Sequence, residues 1–211
     1  MSAAQWFLLT GFVIFVLASL RMVLQVVWSG RSSSLAVPKG KPVPAVLYSL
    51  TGAMLPWKKE SARLHLVIYV LGAVYHIGTF LSFFWLIALF VHASLPPVVT
   101  SGSAVLLTLT TLCGLVLLGR RVASSKLRYF SSPDDYFSNL LVTGFHALTV
   151  AALLHEGIAN NLFIYAGILL LYIPLGKLRH AVYFALARFH LGLFYGRRGV
   201  WPAEGGKSWR A

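Results

Sequence analysis

Acidic residues are nearly absent from this chain, and charged residues of either sign are few. Lys, Arg, Asp and Glu together make up 11% of the 211 residues, whereas soluble domains carry about 25%. Only five residues are acidic, and none lies deep within an apolar run. A buried carboxylate metal site or a carboxylate proton relay is therefore poorly supplied.

Cysteine is equally scarce, because Cys113 is the only one. One cysteine excludes an internal disulfide, a cysteine-ligated iron–sulfur cluster within the chain and a C-x-x-C-H haem attachment. Any iron–sulfur cluster that works with this chain must belong to a partner.

Apolar residues dominate what remains. They make up 58% of the chain, and the mean hydropathy is +0.77. Crossing a bilayer takes about 20 apolar residues. The first run has no basic segment before it, so we expect a retained helix rather than a cleaved signal. The sequence predicts an all-α integral membrane bundle of five transmembrane helices, over the runs 5–28, 64–92, 98–118, 136–154 and 162–182.

Lysine and arginine lie on alternate connections between these runs. The chain has 18 of them and a formal net charge of +13, yet the connections 93–100 and 155–161 contain none. Because cytoplasmic loops hold the Lys/Arg excess of membrane proteins, we expect the N-terminus outside and the C-terminus in the cytoplasm. The positive charge then indicates topology rather than nucleic-acid binding.

The connections also divide the chain into regions. We expect a transmembrane domain over 1–183, with an interfacial cytoplasmic segment at 29–61. Within that segment, the Pro- and Gly-rich stretch 30–44 is predicted to be irregular. The stretch 45–57, "AVLYSLTGAMLPW", is predicted to lie as a short interfacial helix.

Residues 184–211 are expected to form a cytoplasmic C-terminal tail. Its Gly-rich end, 196–211, is predicted to be disordered unless something holds it. The part at 184–202 combines aromatic residues with arginines, which are typical interface anchors. We expect it to dock a soluble partner, and the alternative is a helix that lies on anionic lipid.

The stretch "SSPDD" comes directly before the fourth run and contains an acidic pair. Ser132 is suited to cap a helix, and Pro133 fits the first helical position. Asp134 and Asp135 then fall in the first turn, where the helix dipole favours negative charge. We therefore interpret the pair as structural rather than catalytic.

Histidine is the informative residue type inside the membrane runs. His76 and His146 lie deep within predicted spans. Ionisable groups at such depth are rare and usually functional, although a neutral histidine can also hydrogen-bond across helices. The remaining histidines lie nearer the ends of the runs: His65, His92, His155, His180 and His190.

Haem b fits this supply of ligands, because it needs two neutral imidazoles from facing helices. By their depth, His76 and His180 could share one haem in the cytoplasmic half. For His65, His92, His155 and His190, contact with lipid headgroups is favoured over ligation. Other partners stay open: His146 with His76, His92 with His155, and His65 with His190.

Helical spacing and nearby charge add detail to these pairings. His65 and His76 are 11 residues apart, which puts them within about 20° on one helix face. Pro174 comes before His180 and predicts a bend there. Basic side chains available for haem propionates are Arg21, Arg63, Lys177 and Arg179.

Several stretches, in this order, carry a family resemblance: "LASLRMV" with Arg21, "YHIG" with His76, "VLLGRRVASSKLRYFSSPDDYFSNLL", "PLGKLRH" with His180, and "ARFHLGLFYGRRGV". With them the chain resembles the membrane cytochrome b subunit of respiratory nitrate reductase, the gamma subunit. It also resembles relatives in membrane complexes linked to dissimilatory sulfite reduction and to heterodisulfide reduction.

The resemblance implies that His76 and His180 ligate the haem nearer the cytoplasm. The sequence departs from the family at the second haem, whose ligand positions correspond to Leu86 and Leu162. It also lacks the quinol-site lysine expected within 95–104. The resemblance therefore leaves two possibilities. The chain holds one haem, or it holds two, and the second has moved ligands such as His92, His146 or His155.

Together these features predict a membrane cytochrome b subunit that carries electrons between the quinone pool and a cytoplasmic iron–sulfur subunit, with quinol oxidised. We expect it in the cytoplasmic (inner) membrane as a multi-pass protein. The alternative is a haem-free membrane anchor for a soluble redox enzyme. A small transporter is disfavoured, because the spans contain neither buried carboxylates nor inverted repeats.

The topology can be tested with single cysteines that react with membrane-impermeant reagents. We expect labelling from outside at positions 97 and 158 and from inside at positions 36 and 126, because the basic connections stay in the cytoplasm. The opposite labelling pattern would overturn the predicted orientation.

Overall fold

The computed structural model describes residues 1–29 and 37–202. These residues form helices joined by turns and contain no strand. The α-helices in chain order are α1 Ala3–Ser29, α2 Pro42–Leu50, α3 Glu60–Leu64, α4 Leu66–Phe90, α5 Pro97–Ala123, α6 Ser125–Tyr129, α7 Pro133–Leu154, α8 Ala159–Tyr172 and α9 His180–Arg197. Short 3₁₀ turns lie at Gly52–Met54, Pro56–Lys58, Glu156–Ile158 and Lys177–Arg179.

Helices α1, α4, α5 and α7 are each long and apolar enough to cross a membrane. Their 22 to 27 residues correspond to about 33–40 Å of helix, and the hydrocarbon layer is about 30 Å thick. Helices α8 and α9 make a fifth span if the pair is counted as one broken helix. The predicted all-α, multi-pass membrane architecture is confirmed.

The fifth predicted run, 162–182, is not one continuous helix. Helix α8 ends at Tyr172, and a turn at 173–176 separates it from the 3₁₀ turn that leads into α9. Pro174 has no N–H to continue the backbone hydrogen-bond ladder. The predicted bend at Pro174 is confirmed as a break, and α8 alone is 14 residues long, or about 21 Å.

The described residues fall into two compact units. One comprises Met1–Ala18 and Val67–Arg179, and the other comprises the described residues of Ser19–Leu66 and of 180–202. We call them the first unit and the second unit. The domain boundary expected after residue 183 falls inside α9, which belongs as a whole to the second unit.

Helix α7 carries much of the core of the first unit. Phe145 is fully buried on α7, together with Leu162 and Ala166 of α8. Phe83 of α4 packs on Phe145 with the ring centroids 5.0 Å apart. Large apolar side chains are exposed on the surface of the first unit, with Phe80 73% exposed and Val98 83% exposed. This is expected where lipid replaces water around the helices.

Glycines allow the helices of the first unit to approach closely. A Cβ on Gly11 of α1 would lie 3.0 Å from the backbone oxygen of Gly167 on α8. A Cβ on Gly114 of α5 would lie 2.5 Å from the Tyr75 ring of α4 and would also meet Thr143 of α7. Small residues at helix contacts are typical of membrane proteins, where van der Waals packing drives association.

The second unit is built on the contact between α2 and α9. Gly192 of α9 lies against Val46 of α2, where an added Cβ would be 2.5 Å from the Val46 Cα. Ser49 is fully buried, and its hydroxyl donates to the backbone oxygen of Arg188 at 2.7 Å. The Arg188 guanidinium donates in return to the Ser49 backbone oxygen, at 2.8 Å from Nε.

Two predictions about irregular segments are only partly met. Of the stretch 30–44, residues 30–36 lie outside the described residues, and α2 already begins at Pro42. Of the tail 196–211, residues 203–211 lie outside the described residues. Residues 196–202 meet the exception in that prediction, because Trp201 packs on Tyr195 and Tyr48, with centroids 4.6 and 5.6 Å away.

Replacing Gly114 tests the close helix contact in the first unit. Gly114→Ala should destabilise the protein, because its Cβ overlaps with Tyr75 and Thr143. Gly102→Ala in the same helix is the matched control, since nothing lies within 4 Å of its Cβ. It should be neutral or stabilise by up to about 1 kcal/mol through helix propensity. Thermal unfolding in detergent compares the two, and equal effects would contradict the packing.

Candidate functional site

His146 on α7 is fully buried, and both of its ring nitrogens face threonine hydroxyls. Nε2 lies 3.0 Å from Thr79 Oγ1 on α4, and Nδ1 lies 3.2 Å from Thr110 Oγ1 on α5. We call these three residues the His146 cluster. It joins three of the four long helices through one imidazole.

Proton counting shows how the His146 cluster is satisfied. A neutral imidazole donates from one nitrogen and accepts at the other. One threonine must therefore donate to the ring, while the other accepts from it. The threonine that accepts from the ring can donate its own hydroxyl proton to a backbone oxygen of its helix. For Thr79 this is the Tyr75 oxygen at 3.1 Å, and for Thr110 it is the Leu107 oxygen at 2.9 Å.

Tyr75 extends this polar contact. Its ring packs on His146 with the centroids 4.9 Å apart, and its hydroxyl donates to the Asn139 backbone oxygen at 3.0 Å. An iron bound to His146 would have to displace one of the two threonines. The arrangement fits the alternative in which a neutral histidine hydrogen-bonds across helices, and haem ligation by His146 stays a prediction.

His76 differs from His146 in its burial and in the number of its ring nitrogens that have hydrogen-bond partners. Its side chain is exposed on the surface of the first unit. Its Nδ1 lies 2.6 Å from the backbone oxygen of Gly72, one turn earlier in α4. A carbonyl can only accept, so Nδ1 carries the proton. Within the described residues Nε2 has no hydrogen-bond partner.

This tautomer is the one that a metal-binding histidine needs. Ligating histidines commonly donate their other N–H to a carbonyl, which fixes the ring and raises its basicity. His76 meets that condition with a group of its own helix. His76 thus makes the kind of N–H···O=C hydrogen bond that ligating histidines commonly make.

The proposed partner of His76 lies in the other unit. His180 is the first residue of α9 and is exposed. Arg21 is exposed on the part of α1 that belongs to the second unit, while Arg179 is exposed at the end of the first unit. The pairing of His76 with His180, and the roles of Arg21 and Arg179 at the propionates, remain predictions.

His92 lines a cavity of about 540 Å³ in the first unit. Gln5 and Asn160 supply its amides, and Leu89 and Phe163 supply apolar wall. Ser2 holds both amides through their oxygens: its backbone N–H donates to Gln5 Oε1 at 2.8 Å, and its hydroxyl donates to Asn160 Oδ1 at 2.9 Å. The amide nitrogens are then left to donate to a guest.

The other predicted histidine positions are scattered. His155 is exposed at the end of α7 and is not among the residues that line this cavity. His65 is not on α4, because its backbone (φ −128°, ψ 47°) interrupts the helix before Leu66. The prediction that His65 and His76 share one helix face is therefore wrong. His190 shares the continuous helix α9 with His180, ten residues further along.

The acidic pair has the structural role predicted for it. Pro133 begins α7, and the Asp135 carboxylate accepts from the Ser132 backbone N–H at 2.8 Å, as in a capping box. Asp135 also pairs with Arg121 at 3.3 Å and with the Lys177 ammonium. Asp134 accepts from the Lys177 backbone N–H at 2.8 Å. The Lys177 ammonium thus pairs with Asp135, whereas the sequence predicts that it is available to a haem propionate.

Sequence reasoning missed the threonine partners of His146. Thr79 and Thr110 lie in apolar runs beside other threonines and serines, and nothing in their spacing marks them as partners of a histidine. Their one signal is a polar residue on α4 and on α5 at about the depth of His146. Among the described residues, no group of three or more His, Cys, Asp or Glu side chains could hold a metal ion.

Comparison of the chain with protein-family models, with curated proteins and with solved structures finds no match.

The His146 cluster can be tested with an isosteric pair of substitutions. Thr110→Val leaves one nitrogen of His146 unpaired, and we expect a loss of about 1–2 kcal/mol, as for hydrogen bonds between membrane helices. Thr111→Val is the control, since the Thr111 hydroxyl bonds only to the Leu107 oxygen of its own helix. Unfolding in mixed detergent compares them, and equal losses would show that the contact with His146 contributes nothing.

Proposed function

We propose that this protein is a membrane cytochrome b subunit, which carries electrons between a quinone pool and a cytoplasmic iron–sulfur partner. The observation that carries the proposal is the state of His76. It presents an unprotonated Nε2 from a membrane helix, while its Nδ1–H is held 2.6 Å from a backbone carbonyl. His146 differs, because both of its nitrogens are hydrogen-bonded and an iron would have to displace a threonine.

His180 is the proposed second axial ligand of this haem b. It begins α9 directly after the break at Pro174 and is exposed. Bound haem would supply one-electron transfer at a potential set by its axial ligands and surroundings. The exposed guanidinium groups of Arg21 and Arg179 are suited to the propionates. A second haem would need ligands from His92, His146 or His155, of which His146 is already bonded at both nitrogens.

The cavity beside His92 supports a quinone as the redox partner in the membrane. Quinone oxygens accept hydrogen bonds, and the amide nitrogens of Gln5 and Asn160 are free to donate them among the described residues. Leu89 and Phe163 offer apolar surface to the ring. Pockets of roughly 300–1,000 Å³ with a few polar groups are typical of small-molecule sites, and this one is about 540 Å³.

Quinol oxidation is the proposed direction of electron flow, and the predicted topology indicates where its protons would go. With the ends of α4 and α7 near the cavity on the outer side, quinol oxidation would release protons outside and send electrons inward. A basic cytoplasmic surface then suits docking of an iron–sulfur subunit. We place the protein in the cytoplasmic (inner) membrane, and the competing function is a haem-free membrane anchor.

Difference spectra of the purified protein test the proposal. A reduced-minus-oxidised spectrum should show a haem b α-band, and its absence would favour the haem-free anchor. His76→Ala and His180→Ala should each lose the same low-spin signal in electron paramagnetic resonance, because each removes one of the two proposed axial imidazoles. His190→Ala should keep the signal and serves as the control on the same helix as His180.

The outcome for His180 distinguishes the two candidate partners. If His180→Ala retains the full bis-histidine spectrum, the assignment of His180 is wrong. His146→Ala then becomes the informative variant, since His146 is the first alternative partner of His76. If His146 is structural, as its two threonine contacts favour, His146→Ala should lower stability while the spectrum of the folded fraction stays unchanged.

A further inference from the structure

We propose that the second unit binds the headgroups of an anionic lipid bilayer through four basic side chains, Lys39, Lys41, Arg197 and Arg198. We call these four side chains the basic cluster. The proposal does not depend on haem or on quinone chemistry, and the chain would use this surface equally as an electron-transfer subunit or as an anchor.

The backbone brings the two halves of the basic cluster together. The N–H groups of Lys39 and Gly40 both donate to the Arg197 backbone oxygen, at 2.8 and 3.3 Å. Gly40 packs against Gly196 and Gly199 so tightly that a Cβ could not be added. Lys39 and Lys41 therefore lie close to Arg197 and Arg198, although the two pairs are far apart in the sequence. All four side chains are exposed.

Acidic residues are scarce among the described residues of the second unit. Its described residues include a single acidic residue, Glu60, and none of them forms a salt bridge. Arg198 donates to the Phe194 backbone oxygen at 3.2 Å and lies over the Phe194 ring, so no described carboxylate neutralises the basic cluster. The nine basic residues described in this unit are Arg21, Lys39, Lys41, Lys58, Lys59, Arg63, Arg188, Arg197 and Arg198.

Exposed apolar side chains on α2 and α9, the two helices that adjoin the basic cluster, favour a bilayer over a soluble acidic protein. Val43 of α2 is 69% exposed, and Phe184 and Phe189 of α9 are 44% and 47% exposed. Phe184 and Phe189 are five residues apart, or about 140° around the helix. One protein partner covers one face of a helix, whereas acyl chains cover several at once.

Aromatic residues and chain continuity point the same way. Trp201 packs on Tyr195 and Tyr48 beside the basic cluster, and Trp and Tyr are enriched at the headgroup level of membranes. The second unit also contains the end of the membrane helix α1, from Ser19 onward. It is therefore tethered to the bilayer by a continuous helix.

Lipid preference measured on the full-length chain tests the proposal. The protein in detergent is titrated with phosphatidylglycerol or with phosphatidylcholine, and bound lipid is counted by native mass spectrometry. We expect the wild type to prefer phosphatidylglycerol. The double variant Lys39→Gln/Arg197→Gln should reduce this preference by about fivefold for each basic side chain removed. The matched control, Arg120→Gln/Lys126→Gln, removes two exposed cations from the first unit and should keep the preference.

A second measurement separates a bilayer from a soluble partner. Spin labels are attached to Val43→Cys and to Phe184→Cys, in a Cys113→Ala background, and the protein is placed in phosphatidylglycerol nanodiscs. Both labels should be accessible to oxygen and shielded from a water-soluble nickel reagent. The proposal is overturned if both labels are open to nickel, if the wild type shows no preference for phosphatidylglycerol, or if Lys39→Gln/Arg197→Gln retains that preference in full.

Discussion

A polar group inside the hydrocarbon layer must find its hydrogen-bond partner within the protein, because lipid offers none. This constraint explains why the described residues form helices without a strand. It also explains why hydroxyls in the spans return to their own helix, as Thr111 does to the Leu107 oxygen. His146 is the demanding case, since an imidazole needs two partners, and two other helices provide them. The exceptions among the described residues include Ser82 Oγ and Trp85 Nε1, which are buried without a partner.

Glycines allow helices to pack closely in each of the two units. In the first unit Gly11 meets Gly167, and Gly114 admits Tyr75 and Thr143. In the second unit Gly192 meets Val46. Such approaches bring backbone and polar side chains within reach of one another. The hydrogen bond from the Ser49 hydroxyl to the Arg188 oxygen is formed at one of them.

The sequence predicts the features that depend on neighbouring residues. Apolar runs locate the four long helices to within a few residues, Pro174 marks the break after α8, and Ser132 with Asp135 marks the start of α7. Features that depend on distant residues were not predictable. The contact between α2 and α9 places Gly192 against Val46 and Gly196 against Ala45 and Pro42, and the partners of His146 are threonines among several similar ones. His65 shows the opposite error, because helical spacing was applied across a break that one residue's torsion angles create.

The short length of α8 has a consequence for the bilayer itself. At about 21 Å it is shorter than the helix α7 that it packs against, and shorter than the hydrocarbon layer of about 30 Å. Most of α8 faces protein, but Ile164 and Ile168, one turn apart, are each 45% exposed. Where α8 alone meets lipid along that narrow strip, the apolar length of the protein is smaller than the thickness of the membrane. The bilayer would thin there, and annular lipids with shorter or disordered chains would be favoured at that position.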